Sequence, residues 1–436
     1  MKLIFVNRYF HPDLSATSQK LSELAFALAA EGHDVHIVTS RQEYERPHAR
    51  LAARDEIAGV KVWRCWSTRF GRSALVGRAV DYATFYLTSA VMLLRLARRW
   101  DVVVAKTDPP MLSVLAAPIA RLKGAVLVNW LQDIFPEVAT ELGMSRSRVS
   151  RVFFGFLRGL RNRSLLRART NVVLGERMAD VVAGLGVTPA RIRIIPNWGD
   201  GRFVRPIAAE RNALRTEWGL AQTFVVGYSG NLGRAHDIST FVEAISLIEG
   251  RAGAASDVTQ RPIAWVFIGG GALVERLRSE VEQRGLTSVT FRPYQPRERL
   301  AESLSVPDVH LISLRPELEG LIVPSKYYGI AAAGRPAIFI GDPDGEIARL
   351  LDRTGTGFSV PEGDAGRLVD VIRQLAREPD MSGAMGTRAR AAFLAHYDLP
   401  QAVAAWTALL SELTGTGEAE ARPSGPAHSG TLATGP

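Results

Sequence analysis

Two runs of alternating short apolar segments and amphipathic segments, separated by one polar break, constrain this chain more than any other feature. The first run opens with KLIFVN, apolar at successive positions, which reads as a parallel strand covered on both faces. A polar loop, RYFHPDLSATSQ, leads to KLSELAFALAAEGH, whose apolar spacing is helical and which stops at Gly32. DVHIVTS is the next strand, completing a βαβ unit. DVVVAKT, PPMLSVLAAPIARLKG and AVLVNWLQD repeat that order, and TNVVLGERMADVVAGLGV and RIRIIPNW continue it to about residue 198. The polar, irregular stretch GDGRFVRPIAAERNALRTEWGL follows. The pattern then restarts with TFVVGYSGNLG, ISTFVEAISLI, IAWVFIGGG and ALVERLRSEVEQRG, and goes on through SVTFRPYQ, VHLISLR, RPAIFIGD and TGFSVPEG.

Each run predicts an α/β domain with a doubly wound, Rossmann-like parallel sheet and helices on both faces. The expected division is 1–200 for the first domain, 201–222 for a connection, 223–395 for the second domain, 396–413 for a last helix and 414–436 for a tail. The tail is rich in Gly, Pro, Ala, Ser and Thr, cannot bury a core, and is expected to be disordered. Ligands of such sheets bind beyond the carboxyl ends of the strands, so a cleft between the two domains is the default site.

Composition limits the function classes. The chain has 436 residues, 47% apolar and 22% charged, which is globular. Its single cysteine, Cys65, leaves no internal disulfide framework, and a reducing, cytoplasmic location is expected. The start, MKLIFVNRYFHPD, lacks the apolar core of a secretion signal, and no apolar run reaches membrane-spanning length. The formal net charge is +9, yet only six of the 53 basic residues are lysines. Lys326 is the sole lysine in the last three hundred residues, which makes its position informative.

That lysine lies in VPSKYYGIAAAGRP, residues 323–336. Pro324 suits a helix start, Gly334 a left-handed residue after the helix end, and Pro336 cannot continue the helix. The alanines allow close packing, so the helix is expected to be buried with Ser325 and Lys326 in its first turn. A buried helix N-terminus carrying a lysine is an anion site. A capped core helix with a snorkelling lysine is the alternative. Two further pieces favour the anion. GYSGNLGRAHD places Gly230, Asn231, Gly233 and Arg234 after a strand, and guanidinium suits diphosphate oxygens. FIGGGALVERL places Gly269, Gly270 and Gly271 between a strand and a helix, without the G-x-G-x-x-G spacing of a dinucleotide fingerprint. All three pieces fall at strand ends of one domain, as in a nucleotide-diphosphate site. Tyr294 joins this donor-side set.

In the first domain, NWLQDIFPEVATELG puts Gln132, Asp133 and Glu137 at a strand end. Asp133 could hold or deprotonate a hydroxyl, or cap the helix behind it. His11 and Asp13, in the first loop, could face the cleft as acceptor-side residues or be ordinary loop residues. No metal-ligand spacing occurs among His, Cys and Asp. Arginines interleave with apolar residues in 69–100 and 146–169, the latter with Phe153, Phe154 and Phe156. That pattern suits an anionic membrane surface; no nucleic-acid module appears.

NRYFHPD, TDPPML, DIFPE, IIPNWGD, GYSGNLGRAHD and EGLIVPSKYYGIAAAGRP together resemble the family 4 glycosyltransferases of the two-domain GT-B fold, over residues 1 to about 413. The likeness is greatest to enzymes of O-antigen, colanic-acid and capsule assembly. It implies a sugar-nucleotide donor, usually a UDP-sugar, on the second domain, and a polyprenyl-diphosphate-linked or other glycan acceptor on the first. It also implies retention of anomeric configuration, a metal-independent site without cofactor, and a last helix that crosses back to the first domain. Asp133, Arg234 and Lys326 are the implied catalytic residues. Work on the inner face of the plasma membrane is implied as well. One departure stands out. Many members carry two glutamates eight residues apart, and the aligned positions here are Leu321 and Gly329. Glu319 is out of register, and Glu346 in GDPDGEIARLL is a candidate to take over a donor-side role. Other readings are a UDP-sugar 2-epimerase on the same fold and a non-catalytic partner in a polysaccharide complex.

Overall fold

The structure is a computed structural model that describes residues 1–44, 46, 50–71, 75–144, 147–252 and 261–421. It contains two sheets. The first comprises β1 (Lys2–Val6), β2 (Asp34–Ser40), β3 (Arg54–Ile57), β4 (Val60–Cys65), β5 (Val102–Ala105), β6 (Val126–Trp130), β7 (Thr170–Val173) and β8 (Ile192–Ile194). Their spatial order is β3-β4-β2-β1-β5-β6-β7-β8. Only the β3–β4 pair is antiparallel. The second sheet comprises β9 (Phe224–Asn231), β10 (Ile263–Gly270), β11 (Val289–Arg292), β12 (Val309–Ser313), β13 (Ala337–Gly341) and β14 (Gly357–Pro361). It is parallel throughout, in the order β11-β10-β9-β12-β13-β14. The central strands are buried on both faces because helices cover both sides, which is why they read as unbroken apolar runs. Chain direction across the sheet reverses between β1 and β5 in one domain and between β9 and β12 in the other. Those are the switch points where ligands bind.

Residues 201–222, read as a connection, fold onto the second domain. Arg215 is 1% exposed and donates to Asp308 at 2.9 Å and to the carbonyls of Val306 and Thr223. Leu214 and Leu220 pack with Val225 and Val266. The chain crosses between domains a second time near residue 398. Gly199 donates to the Tyr397 carbonyl at 3.0 Å, and Asp398 Oδ1 accepts from the Gly201 N–H at 2.8 Å. The last helix, Leu399–Ala421, then lies on the first domain. Trp406, fully buried, sits edge-on to Trp130 at 4.8 Å. The helix extends past residue 413, so the first eight residues of the expected tail are helical; the rest, from 422, lies outside the described residues.

The two domains are in direct contact. The Ile134 N–H donates to the Leu321 carbonyl at 2.9 Å, and Asp133 forms a β-bridge with Ile322. Around this bridge, Leu131, Ile134, Val173 and Met178 share one apolar cluster with Leu318, Tyr327, Tyr328 and Ile347 of the second domain.

A relay of two helix caps, one of which crosses between the domains, adds to the contact. Helix Glu176–Gly184 starts at Gly175, which has no side chain to cap it. Its cap is Glu346 of the other domain, whose Oε2 accepts from the Arg177 N–H at 3.0 Å. Helix Glu346–Thr354 starts at Gly345 and is capped in turn by Glu319, whose Oε1 accepts from the Glu346 N–H at 2.9 Å. A Cβ on Gly175 would lie 2.2 Å from the Glu346 carboxyl carbon, so the glycine makes room for the foreign cap.

Glu346→Ala should therefore cost about 1 kcal/mol, the size of a lost N-cap. Gly175→Ala should cost as much or more alone, but little once Glu346 is already alanine. Denaturant unfolding of the two single variants and the double variant measures this coupling; additive costs would reject the cap.

Candidate active site

The second domain's switch point is built from glycine because the backbone must pass close to itself. Gly230, the penultimate residue of β9, pairs with Gly269 of β10, with φ of +113° and +127°. A Cβ on Gly269 would lie 2.4 Å from the Gly230 carbonyl oxygen, and one on Gly230 would lie 3.3 Å from Lys326 Cε. No other residue type fits both constraints. Beside them opens a hollow of about 330 Å³, lined among others by Gly230, Gly270, Arg278 and Arg292. The Tyr294 ring lies over Gly269 and Gly270, so close that a Cβ on either would be 3.1–3.2 Å from it.

Lys326 reaches this edge from the start of helix Lys326–Ala332, whose N-cap position is Ser325. That helix has seven residues rather than the nine implied by its sequence, and Ser325 makes no side-chain cap bond. Gly334 takes the left-handed conformation expected after it, with φ of +64°. Lys326 Nζ donates to the Asn231 carbonyl at 3.0 Å and lies 4.9 Å from the centre of the Tyr228 ring. His236 is its second neighbour, with Nε2 at 3.5 Å. The Ser313 carbonyl is 2.6 Å from His236 Nδ1, so Nδ1 carries the proton and Nε2 is left to accept. Burial lowers the Lys326 ammonium to about 8. Burial and the nearby Lys326 charge lower His236 to about 4, which keeps it neutral.

The structure brings Gly230, Asn231, Gly233, Gly270, Tyr294, Ser325 and Lys326 together on this edge. Arg234, one loop residue further, is exposed and has no ion-pair partner among the described residues. Glu346 does not join them: its carboxylate is committed to the helix of the other domain. Leu321 is 8% exposed and packs in the interdomain cluster, and a Cβ on Gly329 would touch Leu304 at 3.3 Å. Both positions that carry glutamates in the family pattern thus serve packing here. His236 was not singled out from the sequence. Its signal lay in GYSGNLGRAHD, but its role needs Ser313 and Lys326, 77 and 90 residues away.

Asp133 stands at the bridge between the domains. The helix that follows, Glu137–Ala139, begins at Pro136 and takes no side-chain cap, so Asp133 is not its cap. Asp133 Oδ1 is inaccessible and has no hydrogen-bond partner. Burial drives its carboxyl up to about 7, against a lowering hydrogen bond from Thr107. An orphaned acidic oxygen with that affinity for protons is suited to proton transfer or to gripping a hydroxyl. A small hollow beside it is lined by Lys106, Thr107 and Arg161 as well. Lys106 is 1% exposed, donates to the Thr17 carbonyl at 3.1 Å and lies 3.6 Å from the Trp130 ring centre. Glu137 bonds Arg161 at 2.5 Å, which fastens this strand-end segment to helix Arg148–Arg167.

In the first loop His11 is surface-lying, and its partial burial, together with Arg64 and Arg297, lowers its pKa. Its ring packs edge-on against Phe26, and Arg64 donates to its carbonyl at 3.1 Å. Asp13 is turned inward: it is 4% exposed and accepts from the Ser15 N–H and hydroxyl and from the Tyr44 N–H. It holds the first loop in shape. Among the described residues no group of three or more His, Cys, Asp or Glu side chains is placed to hold a metal ion.

Comparison with known proteins agrees with the two-domain architecture. Residues 16–198 match the model of the glycosyl transferase 4-like domain, and residues 210–392 match glycosyl transferases group 1. The WcaI protein of Escherichia coli (strain K12), assigned as a colanic acid biosynthesis glycosyl transferase, is 26% identical over 394 residues, 86% of this chain and 92% of that one. Among solved structures, sucrose-phosphate synthase from Thermosynechococcus elongatus superposes with a TM-score of 0.74 at 16% identity, covering 95% of this chain and 100% of the other. Anabaena HepE, solved in complex with UDP and glucose, gives 0.66 at 16% identity, covering 94% and 100%. With both domain models matched in order along two facing parallel-sheet domains, the chain belongs to the family 4 glycosyltransferases of the GT-B fold.

Proposed function

We propose that this glycosyltransferase moves a sugar, with retention, from a UDP-sugar to a polyprenyl-diphosphate-linked or other glycan acceptor in cell-surface polysaccharide biosynthesis. The observation that carries the reading is the Lys326 ammonium, held between Asn231 and His236 at the switch point, across the interdomain bridge from Asp133. The names of WcaI and of the HepE complex with UDP and glucose support the pathway class and the donor class.

As the glycosidic bond breaks, its electron pair passes to the β-phosphate oxygen of UDP. Lys326 and Arg234 supply fixed positive potential there, so the reaction needs no metal at that point. The acceptor hydroxyl attacks from the leaving-group face, forms the new bond, and gives its proton to the departing phosphate. Asp133 orients the acceptor hydroxyl or the donor sugar from the first domain.

The surface of the first domain supports peripheral membrane binding at the inner face of the plasma membrane. No helix among the described residues is long and apolar enough to cross a membrane. Helix Leu75–Leu96 exposes Val76, Val80, Leu87, Val91 and Leu94 at helical spacing, with Arg78 and Arg95 alongside. Helix Arg148–Arg167 exposes Val149, Val152, Phe153 and Phe156 among arginines. Phe154 is not part of this surface: it is 8% exposed and packs against Phe135.

Lys326→Ala should weaken UDP binding by about 1.5–3 kcal/mol, the range for one charge-assisted contact. His236→Ala should weaken it less, by loosening the same ammonium. Lys326 is a cation below about pH 8 and neutral above it, so kcat/KM for the donor should fall as pH rises through about 8. Lys326→Arg should abolish that limb, because guanidinium stays charged. Calorimetric titration with UDP and a pH–rate profile are the measurements; wild-type UDP affinity in Lys326→Ala would reject the clamp.

Asp133→Asn should lower transfer about 10²-fold or more and leave UDP affinity unchanged. The assay is incubation with labelled UDP-sugars and membrane lipid extract. Label in lipid is the expected product; free epimer, or no product at all, would reject transfer.

The protein should sediment with anionic vesicles at low salt and be released as salt rises, since the Debye length shrinks to about 3 Å at 1 M. Equal binding to neutral vesicles would contradict the electrostatic part.

A further inference from the structure

A second hollow, of about 530 Å³, lies outside the donor edge, at the carboxyl ends of β2 and β4. Arg41, Arg50 and Arg69 wall it, with Trp66 and Phe70 beside them. The wall is held from behind. Asp81, 1% exposed, accepts from the Thr68 hydroxyl at 2.7 Å, the Phe70 N–H at 3.0 Å and the Gly71 N–H at 3.1 Å. Gln42 Nε2 donates to the Thr68 carbonyl at 2.7 Å. The loop that carries Trp66, Arg69 and Phe70 is thereby fixed.

Among the described residues, three guanidinium groups and no carboxylate line this hollow. None of them has an ion pair among the described residues, and Arg41 gives only its Nε–H, to the Leu51 carbonyl at 2.9 Å. Three of the described carboxylates near in the chain are engaged elsewhere: Glu43 with Arg46 at 2.6 Å, Asp55 with Arg64 at 3.2 Å, and Asp81 with its loop and with Arg8 at 3.6 Å. Clustered like charges with no counter-ion among the described residues favour a multivalent anion. The same rim leaves Trp66 57% and Phe70 64% exposed, large apolar surfaces that ask for a partner. Phe70 leads into the stripe that starts at Val76, which is 77% exposed, and continues along helix Leu75–Leu96. The chemistry that meets all of this is a diphosphate joined to a hydrocarbon chain.

We propose that this hollow binds the diphosphate of the prenyl-diphosphate-linked acceptor, with Arg41, Arg50 and Arg69 on the phosphates and Trp66 and Phe70 on the start of the chain. The stripe from Val76 to Leu94 then carries the chain into the membrane. The proposal rests on the reading above of a lipid-linked acceptor, and gives it a place.

The test titrates the full chain with farnesyl diphosphate, inorganic diphosphate and farnesol, with a parallel titration of UDP. Farnesyl diphosphate should bind more tightly than either fragment and should not compete with UDP. The Arg50→Gln/Arg69→Gln double variant should weaken farnesyl diphosphate at least tenfold and leave UDP affinity unchanged. Trp66→Ala should weaken farnesyl diphosphate but not inorganic diphosphate. Both sites of change are on the surface, and an unchanged melting temperature shows that the fold is kept. Unaltered farnesyl diphosphate affinity in the double variant, or competition with UDP, would overturn the proposal. A loss confined to anionic vesicles would assign the arginines to lipid headgroups and overturn it as well. Bound UDP without any binding of farnesyl diphosphate would sink this proposal alone; failure of both ligands would sink the transferase reading with it.

Discussion

The rest of the structure depends on a single backbone junction, the hydrogen bond from the Ile134 N–H to the Leu321 carbonyl, with the Asp133–Ile322 bridge next to it. Two parallel-sheet domains have no intrinsic reason to present their strand ends to each other at one angle. A β-type pairing between loops supplies one, because its register is fixed to the residue. On the first-domain side of the bridge is Asp133. On the second-domain side the chain runs four residues from Ile322 to Lys326. The junction therefore places the orphaned carboxyl and the ammonium by short, stiff stretches of backbone. The apolar cluster around it excludes water, which strengthens every charge effect nearby.

The same junction explains why the positions of the missing glutamates are apolar. Leu321 gives its carbonyl to the bridge and its side chain to the cluster. A carboxylate there would be desolvated without a partner. The chain's acidic groups on this side serve as structural caps instead. Glu319 caps one helix and Glu346 another, so that segment 318–322, helix Glu346–Thr354 and helix Glu176–Gly184 are linked end to end across the domains. Positive charge at the second domain's switch point is set in the opposite way. With so few lysines, the one present is fixed by a carbonyl, a neutral imidazole and a ring face rather than by a carboxylate that would cancel it.

Much of the candidate site was legible in sequence because its parts are local. A strand that ends in glycine, a loop with arginine, and a proline-serine-lysine before a small-residue helix each carry their geometry within a few residues. Gly230, Gly270 and Lys326 were found that way. Asp133 was legible as a strand-end carboxylate, but whether it capped a helix was not. The helix behind it starts at Pro136, and that start is a matter of three-dimensional backbone course. Glu346 shows the limit most plainly. Its sequence neighbourhood suggested a donor ligand, and its carboxylate instead crosses to a helix 169 residues earlier in the chain.

By itself the sequence determined the two α/β halves, the break between them and the glycine-and-lysine chemistry of the second, because apolar periodicity and backbone permissiveness act over a few residues. Only the tertiary structure decided that His236 faces Lys326, that Asp13 ties a loop, and that Glu346 is a cap in trans. Each of those assignments depends on what desolvates, charges or bonds a group from far along the chain. That information exists only once the two domains have been brought together.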